Sequence, residues 1–158
     1  MTEVVSNTGP LIALASIGRF SLLNDLFDRV HVPAAVLAEV LDETTQSAVA
    51  TASWLIVDNV SSLLAVQILR EELDAGESEA IVLTTELNAE LLLIDERAAT
   101  ARARSLGLKT LGTLGVLLMA KEMGKLAAIK PAVDDLLSAG FHMSSALYQS
   151  VLASAGEA

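Results

Sequence analysis

Six oxygen-bearing side chains stand out by type and spacing. Asn7 closes the apolar run "VVSNTGPLIALA" (residues 4–15), and Glu39 lies in "PAAVLAEVL". Glu77 and Glu79 open "GESEAIVL", while Asp95 and Glu96 close "ELLLIDE". The chain has no cysteine and only two histidines. His31 sits inside "RVHVP" and His142 in a turn between two helical segments, so both read as structural. Carboxylates and an amide without thiolate or imidazole form the donor set of a hard cation, Mg²⁺ or Mn²⁺. Each acid taken alone also has an ordinary reading. Glu39 fits a solvated helix face. Glu77 and Glu79 fit a helix N-terminus, where the macrodipole favours negative charge. Asp95 fits an N-cap. Only convergence on one place favours chemistry, so the elements that carry these residues decide the matter.

The first strand is expected over residues 3–6, with a helix following from about Pro10, a residue suited to a first helical turn. "RFSLLNDLF" places Phe20, Leu23, Leu26 and Phe27 on one helical face. "RVHV" reads as a second strand. Pro33 then opens a helix with Val36, Leu37, Val40 and Leu41 as its apolar stripe and Glu39 off that stripe. "WLIV" is a third strand, an edge or a hairpin arm. "SSLLAVQILREEL" and "AGESEAIVLTTELN" are helical, with Asn88 as a C-cap. "ELLLID" is a buried strand, "ERAATARARSLG" a helix stopped by Gly107, "LKTLG" a short strand, and "TLGVLLMAKEMG" a helix stopped by Gly124. Two C-terminal helices follow over about residues 131–155.

Strands alternating with helices predict one α/β domain over residues 1–158, with a mostly parallel sheet flanked by helices on both faces. In such sheets, sites form outside the carboxyl ends of the strands. Asn7, Asp95 with Glu96, and the stretch Thr110 to Thr113 all fall there.

Hydrophobic residues make up 53% of the 158 residues and aromatics 3%, so the core is aliphatic. That surplus of apolar surface predicts a homodimer, with Leu147, Val151 and Leu152 on the last helix as contacts. The start "MTEVVS" lacks the basic region of a signal peptide, no uncharged stretch reads as a membrane span, and the absence of cysteine suits a reducing compartment. A cytoplasmic protein without a membrane partner is the expectation. The net charge of −10 argues against sequence-independent nucleic-acid binding, but the charge is unevenly placed. Residues 97–130 hold seven basic residues against Glu122 alone, a net of +6, whereas the remainder carries −16. This segment, with Arg97, Arg102 and Arg104, is either a neutralising face, a docking site for an acidic partner, or a phosphate-binding surface.

The stretches "SNTGPLI", "VHVPAAVLAEV", "GESEAI" and "LLIDERAA" with "GTLGVL", in that order along nearly the whole chain, resemble a PIN-like domain. The resemblance is to a prokaryotic branch similar to toxin-type PIN ribonucleases. It implies an α/β fold with a central parallel sheet and an Mg²⁺- or Mn²⁺-dependent hydrolase acting on RNA. It also implies a cognate small protein partner such as an antitoxin. By the same resemblance Asn7 stands where active nucleases usually have Asp, although this branch often carries Asn. Glu39 matches the second acid, Glu77 the third with Glu79 as the alternative, and Asp95 the fourth with Glu96 beside it. Thr8 and Thr113 would assist as hydroxyl groups, and Arg97, Arg102 and Arg104 would hold flanking RNA. The other reading is a PIN-like module that binds RNA or a protein without cutting, with Asn7 weakening the metal site. A small-molecule α/β enzyme has no support, since neither G-x-G-x-x-G nor G-x-x-x-x-G-K occurs.

Overall fold

The computed structural model describes residues 2–158. Its five strands are β1 (Glu3–Ser6), β2 (Arg29–Pro33), β3 (Leu55–Asp58), β4 (Leu91–Leu93) and β5 (Thr110–Leu111). They form one sheet in the order β3-β2-β1-β4-β5. Every pairing is parallel, with Val4 opposite Val30 and Leu91, and Leu92 opposite Thr110. The strands read as short Val/Leu runs because both faces are covered: Val4, Val5, Val30, Val32, Leu92 and Leu93 are all fully buried.

From β1 the chain winds outward through α1 (Thr8–Ser16) and α2 (Leu22–Leu26) to β2. It continues through α3 (Ala34–Glu39) and α4 (Glu43–Thr51) to β3. It then returns through α5 (Leu63–Leu69) and α6 (Ala75–Leu87) to β4, on the other side of β1. Winding therefore reverses between β1 and β4. α7 (Arg97–Ser105) leads to β5, followed by α8 (Thr113–Glu122), α9 (Lys130–Ser138) and α10 (Ser145–Ser154). α6 packs on β1, β2 and β4 and touches α3, α5 and α7, whereas α8 meets α1, α2 and α10.

α6 is held at its start by a reciprocal capping box, in which Asp74 accepts from the Glu77 N–H and Glu77 from the Asp74 N–H. It ends at Asn88 in the left-handed region (φ 50°), as its Asn suggests. His31 is buried between Asp58 and Glu3, with Nδ1 2.5 Å from Asp58 Oδ2 and Nε2 2.8 Å from Glu3 Oε1. It ties three neighbouring strands together, in keeping with a structural role.

Three details depart from the sequence-based expectation. α4 has no apolar stripe to announce it; its signal is Asp42, whose carboxylate accepts from the Thr45 N–H at 2.8 Å as an N-cap. Leu41 does not join the stripe of α3. The helix ends at Glu39, Val40 is extended, and Leu41 turns out to solvent at 82% exposure. On α10, Val151 and Leu152 are buried within the protomer, so of the three residues expected at a dimer contact only Leu147 is exposed. After Leu41, the most exposed aliphatic side chains are Leu63, Leu64 and Ile68 on α5. Among the described residues no helix is long and apolar enough to cross a membrane.

The C-terminal segment is clamped by one carboxylate. Glu157 accepts from Lys121 Nζ (2.8 Å), from the Ile129 N–H (2.8 Å) and from the Lys130 N–H (3.0 Å), capping α9 and joining it to α8. The Lys121 hydrogen bond and these backbone donors hold its pKa down at about 2. A depressed carboxylate stabilises the fold above its unfolded pKa and loses that contribution as pH falls through the folded value. The contribution of Glu157 is thus present above about pH 4.5 and fades toward pH 2. Glu157→Ala should lower the melting temperature at pH 7, and the difference from the parent should shrink as melts are repeated between pH 4.5 and 2.5.

Candidate functional site

The rim at the carboxyl ends of β1 and β4, where winding reverses, is the place where open α/β sheets bind ligands. The strands deliver Asn7 and Asp95 to it, one and two residues past their last paired positions. Asn7 donates its backbone N–H to Leu93 O at 2.8 Å, which locks the two strand ends together. Its side chain is 5% exposed, and Oδ1 is buried without a hydrogen-bond partner. A buried carbonyl oxygen lacking a donor is costly, on the order of 1–3 kcal/mol, and calls for an explanation.

Thr8, next in the chain, donates its hydroxyl to Glu39 Oε2 at 2.7 Å. The other oxygen of Glu39 accepts from the Gly76 N–H at 2.9 Å, in the first turn of α6. Gly76 is needed there for space: a Cβ on it would lie 2.5 Å from both Glu39 oxygens. Glu77 follows, 7% exposed and bonded through Oε1 to the Asp74 N–H. Burial pushes its carboxyl above the ordinary range. The Asp74 N–H pulls it back, and the negative charges of Asp74, Glu96 and Glu39 push it further up. Glu79 is occupied elsewhere, accepting from the Ala35 N–H at 3.2 Å at the start of α3.

Asp95 is not the N-cap of α7; Glu96 takes that position without a side-chain bond. Both Asp95 oxygens go instead to Thr113, from its N–H (2.7 Å) and its hydroxyl (2.6 Å), at the start of α8. Gly112 allows the approach, since a Cβ there would lie 2.9 Å from Asp95 Oδ1. The structure thus brings Asn7, Thr8, Glu39, Glu77, Asp95, Glu96 and Thr113 to one rim. Arg97 begins α7 beside Glu96, but the remaining basic candidates lie in the last turn of that helix. There Arg102 bonds Ser105 and Arg104 bonds the Thr110 hydroxyl, both about 7–10 Å along the axis from Arg97.

An open cleft of ≈ 640 Å³ starts at Asn7, Asp95 and Glu96 and runs to the turn between α9 and α10. His142, expected to be merely structural, is exposed and lines this cleft together with Phe141. No local pattern marks these two residues. Their turn reaches the rim only through the packing of α9 and α10.

The donors suit a hard cation in chemistry: an orphaned amide oxygen, three carboxylates and no soft ligand. Among the described residues, no group of three or more acidic or histidine side chains is clustered closely enough to hold a metal. Each carboxylate rests on a local N–H or hydroxyl donor, so a cation would be bound by re-aiming side chains rather than by moving backbone.

Gly76→Ala isolates this feature. The incoming methyl displaces only the flexible end of Glu39, and alanine is the better helix former by up to ~1 kcal/mol. The variant should melt within about 1 kcal/mol of the parent yet lose the gain in melting temperature on adding Mn²⁺, as read by calorimetry.

The DUF3368 family model, described as a PIN domain, matches residues 3–157. No curated protein matches the chain. Among solved structures, it is similar to a PilT N-terminus domain protein from the hyperthermophilic archaeon Sulfolobus solfataricus P2. That match has 15% identity and a TM-score of 0.44 and covers 90% of this chain and 98% of the other.

Proposed function

The chain belongs to the PIN domain family, and on that premise we propose that it is an Mg²⁺- or Mn²⁺-dependent ribonuclease of the toxin type. PIN domains are in general nuclease domains. The observation that carries the reading is Asn7, whose carboxamide oxygen is buried without a donor and which lines a cleft together with Asp95 and Glu96. Asn7, Glu39, Glu77 and Asp95 are the residues that would hold the cation. When bound, a divalent cation neutralises charge on the scissile phosphate and lowers the pKa of attacking water.

The protein's own groups have separable tasks in this reading. Thr113 orients Asp95 through two donors. Thr8 and the Gly76 N–H do the same for Glu39. Burial, with other acids nearby, raises the proton affinity of Glu77. Arg97, beside Glu96, would meet the flanking phosphate.

A second reading, a PIN-like module that binds RNA or a protein such as an antitoxin without cutting, is favoured by one feature. Asn7 supplies a neutral oxygen where a carboxylate would add charge, so affinity for the cation is lower than in a four-acid site. Asn7→Asp separates the two readings. It should tighten Mn²⁺ binding in a calorimetric titration by roughly ten-fold or more and raise RNA hydrolysis. Without metal it should melt lower than the parent, because another negative charge joins the cluster. Asp95→Asn should abolish both binding and hydrolysis. Tight Mn²⁺ binding without cleavage in parent and Asn7→Asp alike would establish the non-catalytic module. Unchanged Mn²⁺ affinity in Asn7→Asp would reduce Asn7 to a turn residue.

A further inference from the structure

The cleft at the rim has a second half that a metal site does not use. Beyond Asn7, Asp95 and Glu96 its wall is apolar: Ile12, Leu114, Leu136, Leu147 and the ring of Phe141, with the ring of His142 beside it. Ring-bearing residues are scarce in this protein, five aromatics and two histidines among 158 residues, so two neighbouring ones lining this cleft are informative. Their turn is held in place: the Phe141 N–H bonds Leu136 O at 2.9 Å, and Gly140 takes up φ +96° to reverse the chain after α9. Phe141 is half-buried and His142 exposed, so rings and cleft meet solvent together. The volume of ≈ 640 Å³ falls within the ~300–1,000 Å³ usual for small-ligand clefts.

We propose that this apolar half is a nucleobase subsite, which takes an unpaired base adjoining the phosphate at the acidic rim. The proposal rests on the ribonuclease reading above and deepens it by naming the residues of this chain that would receive a base. A base in a duplex has both faces covered by its neighbours, so a subsite walled by rings and aliphatic side chains selects unstacked bases. Electrostatics supports the same occupant. Asp95 and Glu96 repel a phosphate, Arg97 is the one basic candidate next to them, and Arg102 and Arg104 lie at the far end of α7, so the backbone alone binds weakly here. Stacking on Phe141 and His142 supplies attraction that does not depend on charge. Continuity of one cleft from the amide and carboxylates to the rings is what joins base and phosphate in a single ligand.

The test compares adenosine 5′-monophosphate and uridine 5′-monophosphate with ribose 5-phosphate, which lacks only the base. Binding is titrated with and without Mn²⁺ on the full chain, and on His142→Ala and Phe141→Leu. The parent should bind the nucleotides roughly ten-fold tighter than ribose 5-phosphate, the scale of one stacked base. Each variant should shrink that ratio at least threefold, with thermal melts confirming the fold. Phe141→Leu keeps most of the buried volume, and His142 is exposed, so at least one variant will report. The Mn²⁺ titration stands apart: a base preference that persists without any Mn²⁺ binding removes the metal reading and keeps the subsite. Equal affinity for nucleotide and ribose phosphate, undetectable nucleotide binding at millimolar concentration, or an unchanged ratio in both variants overturns the proposal.

Discussion

Like charges gathered on one rim repel, and this protein gathers several without a counter-charge among the described contacts. What keeps them in place is a set of donors drawn from other elements. Thr8 and the Gly76 N–H hold Glu39, Thr113 holds Asp95 with two bonds, and the Asp74 N–H holds Glu77. These bonds tie the end of β1 to α3 and α6, and the end of β4 to α8. The contacts that restrain the acids are therefore also contacts that close the carboxyl end of the sheet. Repulsion that is only partly relieved shows in Glu77, whose proton affinity rises through burial and through Asp74, Glu96 and Glu39.

Two glycines make the arrangement sterically feasible. Gly76 lets a carboxylate sit against the first turn of a buried helix, and Gly112 lets another approach the start of α8. Neither is needed for its backbone angles; both are needed because a side-chain carboxylate occupies the place of a Cβ. α6 in turn has to be fixed in height relative to the sheet, which its capping box and its contacts with three strands achieve. An error of even one residue in that helix would move Gly76 and separate Glu39 from Glu77.

The C-terminal helices extend the cleft rather than merely finish the fold. α9 packs on the core through Ala132, Val133 and Leu136. Its turn into α10 carries the two rings on the cleft wall. Glu157 secures this unit by reaching Lys121 on α8 and the first turn of α9 together. The strongly uneven charge of the chain follows the same geometry. Glu39, Glu77, Asp95 and Glu96 lie toward the rim, while Arg102 and Arg104 lie at the far end of α7, so their charge offsets the whole molecule more than the cleft.

Periodicity and punctuation in the sequence determined most of the architecture. Short Val/Leu runs separated by amphipathic helices require a covered parallel sheet, and Pro10, Asn88 and Gly107 mark helix boundaries by their backbone preferences. The same order of strands put Asn7, Asp95 and Glu96 on one rim before any packing was known, because parallel strands share an end. Tertiary structure decided the rest. Whether Glu77 or Glu79 joins the other acids depends on the rotation of α6, and only packing turns Glu77 toward Glu39 and Glu96 and leaves Glu79 for α3. Leu41, Val151 and Leu152 changed sides for the same kind of reason: an apolar residue says that burial is favourable, not which surface supplies it. α4 was hidden because its sole signal is one capping aspartate. Phe141 and His142 belong to a turn with no pattern of its own, and their place beside Asn7 and Asp95 arises from long-range packing that no local run of residues encodes.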